Sequence, residues 1–108
     1  MELISYEDFK KLDIRVAKIK EVDEHPDADK LYVVKVDLGD EERQIVAGIK
    51  PYIEKDDLIG KEVVVILNIE PRKIRGIESN GMLLAAKDEE SLAIVTLNRE
   101  IKPGSIVQ

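Results

Sequence analysis

"RQIVAGIKPYIEKDDLIGKEVVVILN", residues 43 to 68, holds the pattern that decides the fold. Arg43 to Ala47 reads as a short strand stopping at Gly48. Ile49-Lys50-Pro51-Tyr52-Ile53-Glu54 then suits a short helix, and Gly60 turns the chain back. Glu62 to Asn68 follows as a strand, long and apolar enough to be central in a sheet.

Upstream, two more strands precede this unit. From Leu12 the apolar period is two, with Ile14, Val16, Ala17 and Ile19 interleaved with Arg15, Lys18 and Lys20, so the first strand carries one basic face. His25-Pro26-Asp27-Ala28-Asp29 is turn chemistry, because proline fixes φ and aspartate side chains cap local N–H groups. Leu31 to Val36 is the second strand, closed by Leu38-Gly39-Asp40. Ser5-Tyr6-Glu7-Asp8 has the form of a capping box and predicts a short helix over Tyr6 to Lys11. Downstream, Gly81 to Lys87 and Leu92 to Leu97 read as the fifth and sixth strands, and Pro103-Gly104 turns into the tail Ser105 to Gln108. Three strands, a short helix, two strands and a β tail predict an all-β domain: an OB-fold, five-stranded Greek-key barrel with short helices and a C-terminal β extension. An SH3-like barrel is the competitor, and the helix between strands three and four favours the OB arrangement. We expect one domain over 1–108, with the barrel at about 12–87 and the extension at about 88–108.

A chain of 108 residues buries roughly two-thirds of its unfolded surface, enough for one modest core. Its longest aliphatic run, Val63 to Leu67, is far short of the ~20 residues of a membrane-spanning helix. The N-terminal MELISYEDFKK has early acids and no apolar stretch, so no signal peptide is expected. Cysteine is absent, which removes disulfides and thiolate metal sites and fits a reducing, cytoplasmic setting. Charged residues at 37%, with abundant Ile and Val and no Trp, resemble heat-adapted compositions.

Catalytic and metal-binding patterns are missing. His25 is the single histidine and reads as a turn residue, since zinc would need an unusual carboxylate shell around it. Ser5, Ser79, Ser91 and Ser105 lack a nucleophile-elbow context. Gly76 to Gly81 has phosphate-loop spacing, but Met82 and Leu83 stand where Lys and Ser/Thr are required. Asp56-Asp57 and Glu89-Glu90 read as solvated surface charge. We expect no enzyme activity, no cofactor and no metal.

The distribution of charge is more informative than its sum. With 23 Asp+Glu against 17 Lys+Arg, the net charge of −6 opposes indiscriminate phosphate binding. Yet residues 10 to 20 hold five bases and one acid, and residues 71 to 76 hold Arg72, Lys73 and Arg75 with no acid, whereas residues 37 to 57 carry seven acids and three bases. A local basic groove on an acidic body follows, unless these are a solvated strand face and a charged hairpin. Only Tyr6, Phe9, Tyr32 and Tyr52 are aromatic, too few for a stacking platform along single strands. If RNA binds, phosphate and sugar contacts to a folded shape are the expected mode.

Four blocks then resemble a known family. H-P-x-A-D-K-L-Y at His25 to Tyr32, R-x-I-V-x-G-I at Arg43 to Ile49, N-x-x-P-x-K-x-R-G at Asn68 to Gly76 and S-x-G-M-x-L-A-A at Ser79 to Ala86 are similar in kind and order to the EMAP-II/Trbp111-type tRNA-binding domain. That family includes the C-terminal domain, or separate β subunit, of methionyl-tRNA synthetase. The resemblance implies an OB barrel, homodimerisation, and shape-directed binding around the outer corner of tRNA. It implies that Lys30, Asn68, Lys73, Arg75, Ser79 and Met82 lie at or near the tRNA, and Arg72 and Asn80 join them from the same segments. Lys and Arg neutralise phosphates, and Asn and Ser hydrogen-bond sugar or phosphate oxygens. Met82 reads either as a flexible apolar contact or as a core methionine opening strand five, and Asn68 and Ser79 also read as turn formers.

Two functions follow from the resemblance. One is a non-catalytic module that dimerises and adds tRNA affinity to a catalytic methionyl-tRNA synthetase chain. Its dimer contact is expected in the N-terminal segment and residues 92 to 108, with Ile101, Ile106 and Val107 as apolar candidates. The alternative is a CsaA-like dimeric chaperone for unfolded peptides.

Overall fold

The computed structural model describes residues 1–108. A helical turn α1 (Tyr6–Phe9) opens the chain, and Ser5 caps it, its hydroxyl accepting the Asp8 N–H at 3.0 Å. Then come β1 (Ile14–Glu24), β2 (Tyr32–Asp37), β3 (Glu42–Ala47), β4 (Glu62–Ile66), β5 (Arg72–Ile74), β6 (Ile77–Ser79), β7 (Met82–Leu83), β8 (Ala85–Lys87) and β9 (Leu92–Ile94).

The main sheet has the order β3-β2-β1-β4-β7, antiparallel throughout. The meander β1-β2-β3 with β4 returning beside β1 is the Greek key. β1 makes the curvature possible: Ile14–Lys18 pairs with β4 and Lys18–Glu24 with β2, with a bulge between Ile19 and Glu21. The sheet curls until β3 meets β6 and β7. No ladder closes that seam; it is closed by the Asn80 N–H on the Gln44 carbonyl (2.8 Å), the Gln44 Nε2 on the Glu78 carbonyl (2.9 Å) and the Val46 N–H on the Ser79 hydroxyl (3.0 Å). The result is a five-stranded OB-type barrel. Ile19, Val34, Val36, Ile45, Leu58, Val63 and Val65 fill its interior, fully buried.

Three expectations need correction. The helix over Ile49 to Glu54 is a turn, with Tyr52 and Ile53 N–H both on the Ile49 carbonyl, and helical geometry appears only as a 3₁₀ turn over Lys55–Asp57. Glu54 is extended (ψ 151°), so the helix stops after this one turn. The strand over 81 to 87 divides at Leu84, whose N–H reaches the Val64 carbonyl while its own carbonyl accepts from Val95, so the chain leaves the barrel there for the β8–β9 hairpin. The sixth strand ends at Ile94, three residues short of the expected Leu97. The C-terminal tail is part of the barrel wall: Val16 N–H bonds Ser105, Gly104 N–H bonds Val16 and Val107 N–H bonds Ile14, flanking β1 on the side away from β4.

Candidate nucleic-acid interface

The basic segment Arg72 to Ser79 folds as the β5–β6 hairpin, with Ile74 opposite Ile77 and a two-residue loop, Arg75-Gly76. Both loop residues have positive φ, 51° and 87°, the mirror-image turn whose twist matches a hairpin. Arg75 is the only non-glycine residue of the chain in that region, and it carries its guanidinium at the tip.

Neighbouring elements fix the hairpin. The Asp27 N–H donates to His25 Nδ1 (3.0 Å), so Nδ1 is unprotonated and Nε2 carries the proton that it donates to the Ile74 carbonyl at 2.9 Å. His25 is 4% exposed, so this neutral ring is a buried strut between the 25–30 turn and the hairpin. Ser79 and the Gln44 side chain hold the other hairpin strand at the seam.

Arg72, Lys73 and Arg75 are exposed, and none has a carboxylate within 4.0 Å. Lys30, exposed on the turn that His25 ties to the hairpin, is also free of an ion pair. Arg15 is paired with Asp13, Arg43 with Glu41, Lys35 with Glu21 and Lys50 with Glu24, whereas Lys18, Lys20, Lys61 and Arg99 are as unpaired as the hairpin cations, so the hairpin is set apart by clustering three cations on one fixed turn. Lys50 and Glu24 reinforce each other's charged forms, the hydrogen bond between them raising the lysine pKa and lowering the carboxylate's. Tyr32 is pushed up by burial, and its hydroxyl donates to the Ile53 carbonyl. These shifts arise from one surface ion pair and one buried phenol.

The remaining expected site residues divide. Ser79 is turned inward, 6% exposed, its hydroxyl accepting from Val46 and donating to Gly81. Asn68 is exposed, but its amide is spent: Oδ1 accepts the Asp13 N–H at 2.7 Å and Nδ2 donates to the Lys11 carbonyl at 2.6 Å, fastening the lead-in to β1. Asn80 is half-buried at the seam. Met82 is 46% exposed on β7, so it is not a core methionine. With Arg72, Ile69, Glu70, Ile74 and Leu83 it lines a cleft of ≈ 360 Å³ that runs to Val46–Ile49 at the end of β3. His25 and Gln44 were invisible as parts of the site from sequence, because their partners lie 49 and 34 positions away. Arg15, expected on a basic face, is withdrawn into bonds with Asp13 and the Gly104 carbonyl.

A second exposed surface is apolar. Leu3, Ile4, Tyr6, Phe9 and Leu12 stand out at the N-terminus, and Ile106 on the tail, anchored beside Ile14 through Val107, is 65% exposed. No helix is long and apolar enough to cross a membrane.

An OB barrel presenting a fixed hairpin with three clustered cations, none within 4.0 Å of a carboxylate, is the form of a nucleic-acid-binding domain. The sequence model described as "Putative tRNA binding domain" matches residues 14–106, and the chain belongs to that family. The methionine–tRNA ligase of Thermococcus onnurineus is 57% identical over 108 residues, all of this chain, which spans 15% of that ligase. The crystal structure of a MetRS related protein from Pyrococcus horikoshii superposes with a TM-score of 0.94 at 34% identity, covering 100% of both chains. The CsaA chaperone protein of Picrophilus torridus is similar too, with a TM-score of 0.90 at 33% identity, covering 98% of this chain and 100% of that one.

Proposed function

We propose that the chain is a non-catalytic module that docks folded tRNA by shape, through Arg72, Lys73, Arg75 and Lys30, and supplies extra tRNA affinity to a methionyl-tRNA synthetase in the cytoplasm. The observation that carries this is the rigid hairpin whose three cations have no protein partner, on a body of net charge −6. Unpaired cations held by the fold meet phosphates without first breaking an ion pair or ordering a loop. Two such modules in a dimer, joined through the apolar N-terminal and tail surface, present two hairpins to one ligand or one to each of two. Ser79, Asn68 and Asn80 serve this site by holding the barrel and the hairpin, and Met82 touches ribose or base.

The test is a salt titration of binding to unfractionated folded tRNA, with single-stranded RNA and an unfolded peptide as competitors. A linear fall of log affinity with log salt, and preference for folded tRNA, supports the reading. Lys73→Glu with Arg75→Glu lowers tRNA affinity by roughly a hundredfold or more, since each charge-assisted contact is worth about 1.5–3 kcal/mol. Unchanged affinity in that folded double variant removes the site. The second reading, a CsaA-like peptide chaperone, draws on the structural likeness and the exposed apolar surface. It takes over if the peptide outcompetes tRNA.

A further inference from the structure

We infer that the cleft beside the hairpin is a slot for one unstacked nucleobase, read by main-chain groups of β3. This deepens the tRNA reading and rests on it. In an antiparallel ladder the N–H and C=O of one residue face the same side. The Val46 N–H faces away from β2, toward Ser79, so the Val46 carbonyl opens on that side as well, into the cleft. Ala47 pairs with Tyr32, and its trans peptide aims the Gly48 N–H the opposite way, also into the cleft. No protein acceptor receives that N–H.

One acceptor and one donor, two residues apart on one strand edge, complement the adjacent donor and acceptor on a base edge, such as the amino group and N1 of adenine. Ile69, Ile74, Met82 and Leu83 supply apolar walls for the base faces, and ≈ 360 Å³ accommodates a purine. Arg72 on the same wall provides for the attached phosphate, and Glu70 at the rim repels it, which fixes base inward and phosphate toward the hairpin. A peptide strand is the poorer occupant. Adding a strand needs a run of free edge groups, and here the Gln44 carbonyl is taken by Asn80 and the Val46 N–H by Ser79.

The experiment follows the Gly48 amide by NMR while adenosine monophosphate, ribose 5-phosphate or an unfolded peptide is added, and measures folded-tRNA affinity in Ala85→Phe, which fills the cleft from β8. Adenosine monophosphate shifts the Gly48 amide and ribose 5-phosphate does not. Ala85→Phe abolishes that shift and weakens tRNA about tenfold, the scale of one bound base. Leu92→Phe fills the same cleft from β9 and serves if Ala85→Phe does not fold. An equal response to ribose 5-phosphate, a response to peptide alone, or a folded cleft-filling variant with unchanged tRNA affinity overturns the slot. Of these, the last, with tRNA still bound, leaves the hairpin reading intact. If tRNA does not bind while the nucleotide still moves Gly48, the hairpin reading fails and the slot stands as a mononucleotide site.

Discussion

Arg75 occupies a backbone conformation that costs a side-chain-bearing residue roughly 1–2 kcal/mol, with φ at 51°. Glycine is free of that cost, so Arg75→Gly raises stability by up to about 1 kcal/mol in urea titration while lowering tRNA affinity and reducing the salt slope by roughly one phosphate. Opposite signs in the two measurements separate a residue kept for its charge from one kept for its turn. Ser79 gives the other case. Ser79→Ala leaves the Val46 N–H without its acceptor, which costs about 1–3 kcal/mol in unfolding measurements, and it lowers tRNA affinity of the folded variant by loosening the hairpin, with the salt slope unchanged. His25→Ala removes the strut to Ile74; it lowers tRNA affinity without touching a charge, and the salt slope stays as in the parent. Motif reading placed Ser79 and Asn68 at the tRNA or in turns, and neither reading anticipates the backbone groups that each side chain holds. A serine spent on a backbone 33 positions away looks in sequence like one offered to a ligand.

At the scale of elements, apolar alternation located β1, and apolar runs bounded by turn residues located β2 to β4, whose burial is continuous over Tyr32 to Val34 and Val63 to Val65. The same reading failed at β7 and β8, because a continuous apolar run carries no mark where the chain changes sheet. It also failed at Ile49 to Glu54, where helical hydrogen bonding completes a single turn and stops at the extended Glu54. The Asp88 turn that joins β8 to β9 offers a pH test. Asp88 accepts N–H bonds from Ser91 and Glu90 and the Ser91 hydroxyl, which holds its carboxyl below the ordinary value of 3.8. A carboxylate with a depressed pKa in the fold stabilises above its unfolded pKa, and that contribution is lost as pH falls through the folded one. Asp88→Asn therefore narrows the stability difference from the parent as pH drops below about 4. The tail depends on Gly104: φ is +91°, and a Cβ there would overlap the Leu38 carbonyl. Gly104→Val strips the tail from β1, with a loss of roughly 2 kcal/mol or more, the scale of a strained backbone combined with a steric clash.

For the whole molecule, charge separation and apolar exposure mark two different surfaces. The body is anionic and three cations cluster on one hairpin, while Leu3, Ile4, Tyr6 and Ile106 are exposed apolar side chains, the contact on which the proposed dimer rests. If the proposed dimer forms through this face, Ile106→Asp shifts sedimentation toward the monomer, and tRNA affinity per chain falls where both hairpins engage one ligand. An unchanged dimer would place the contact elsewhere. The barrel itself is asymmetric in how it is fastened: β1 is laddered on both flanks, whereas β3 is held to β6 and β7 by one hydroxyl, one amide and one peptide group. The cylinder is therefore a clasp with a hinge on one side and a latch on the other. In deuterated water the Val46 amide trades its proton sooner than the Val34 amide, and the same latch sets how often the cleft gapes.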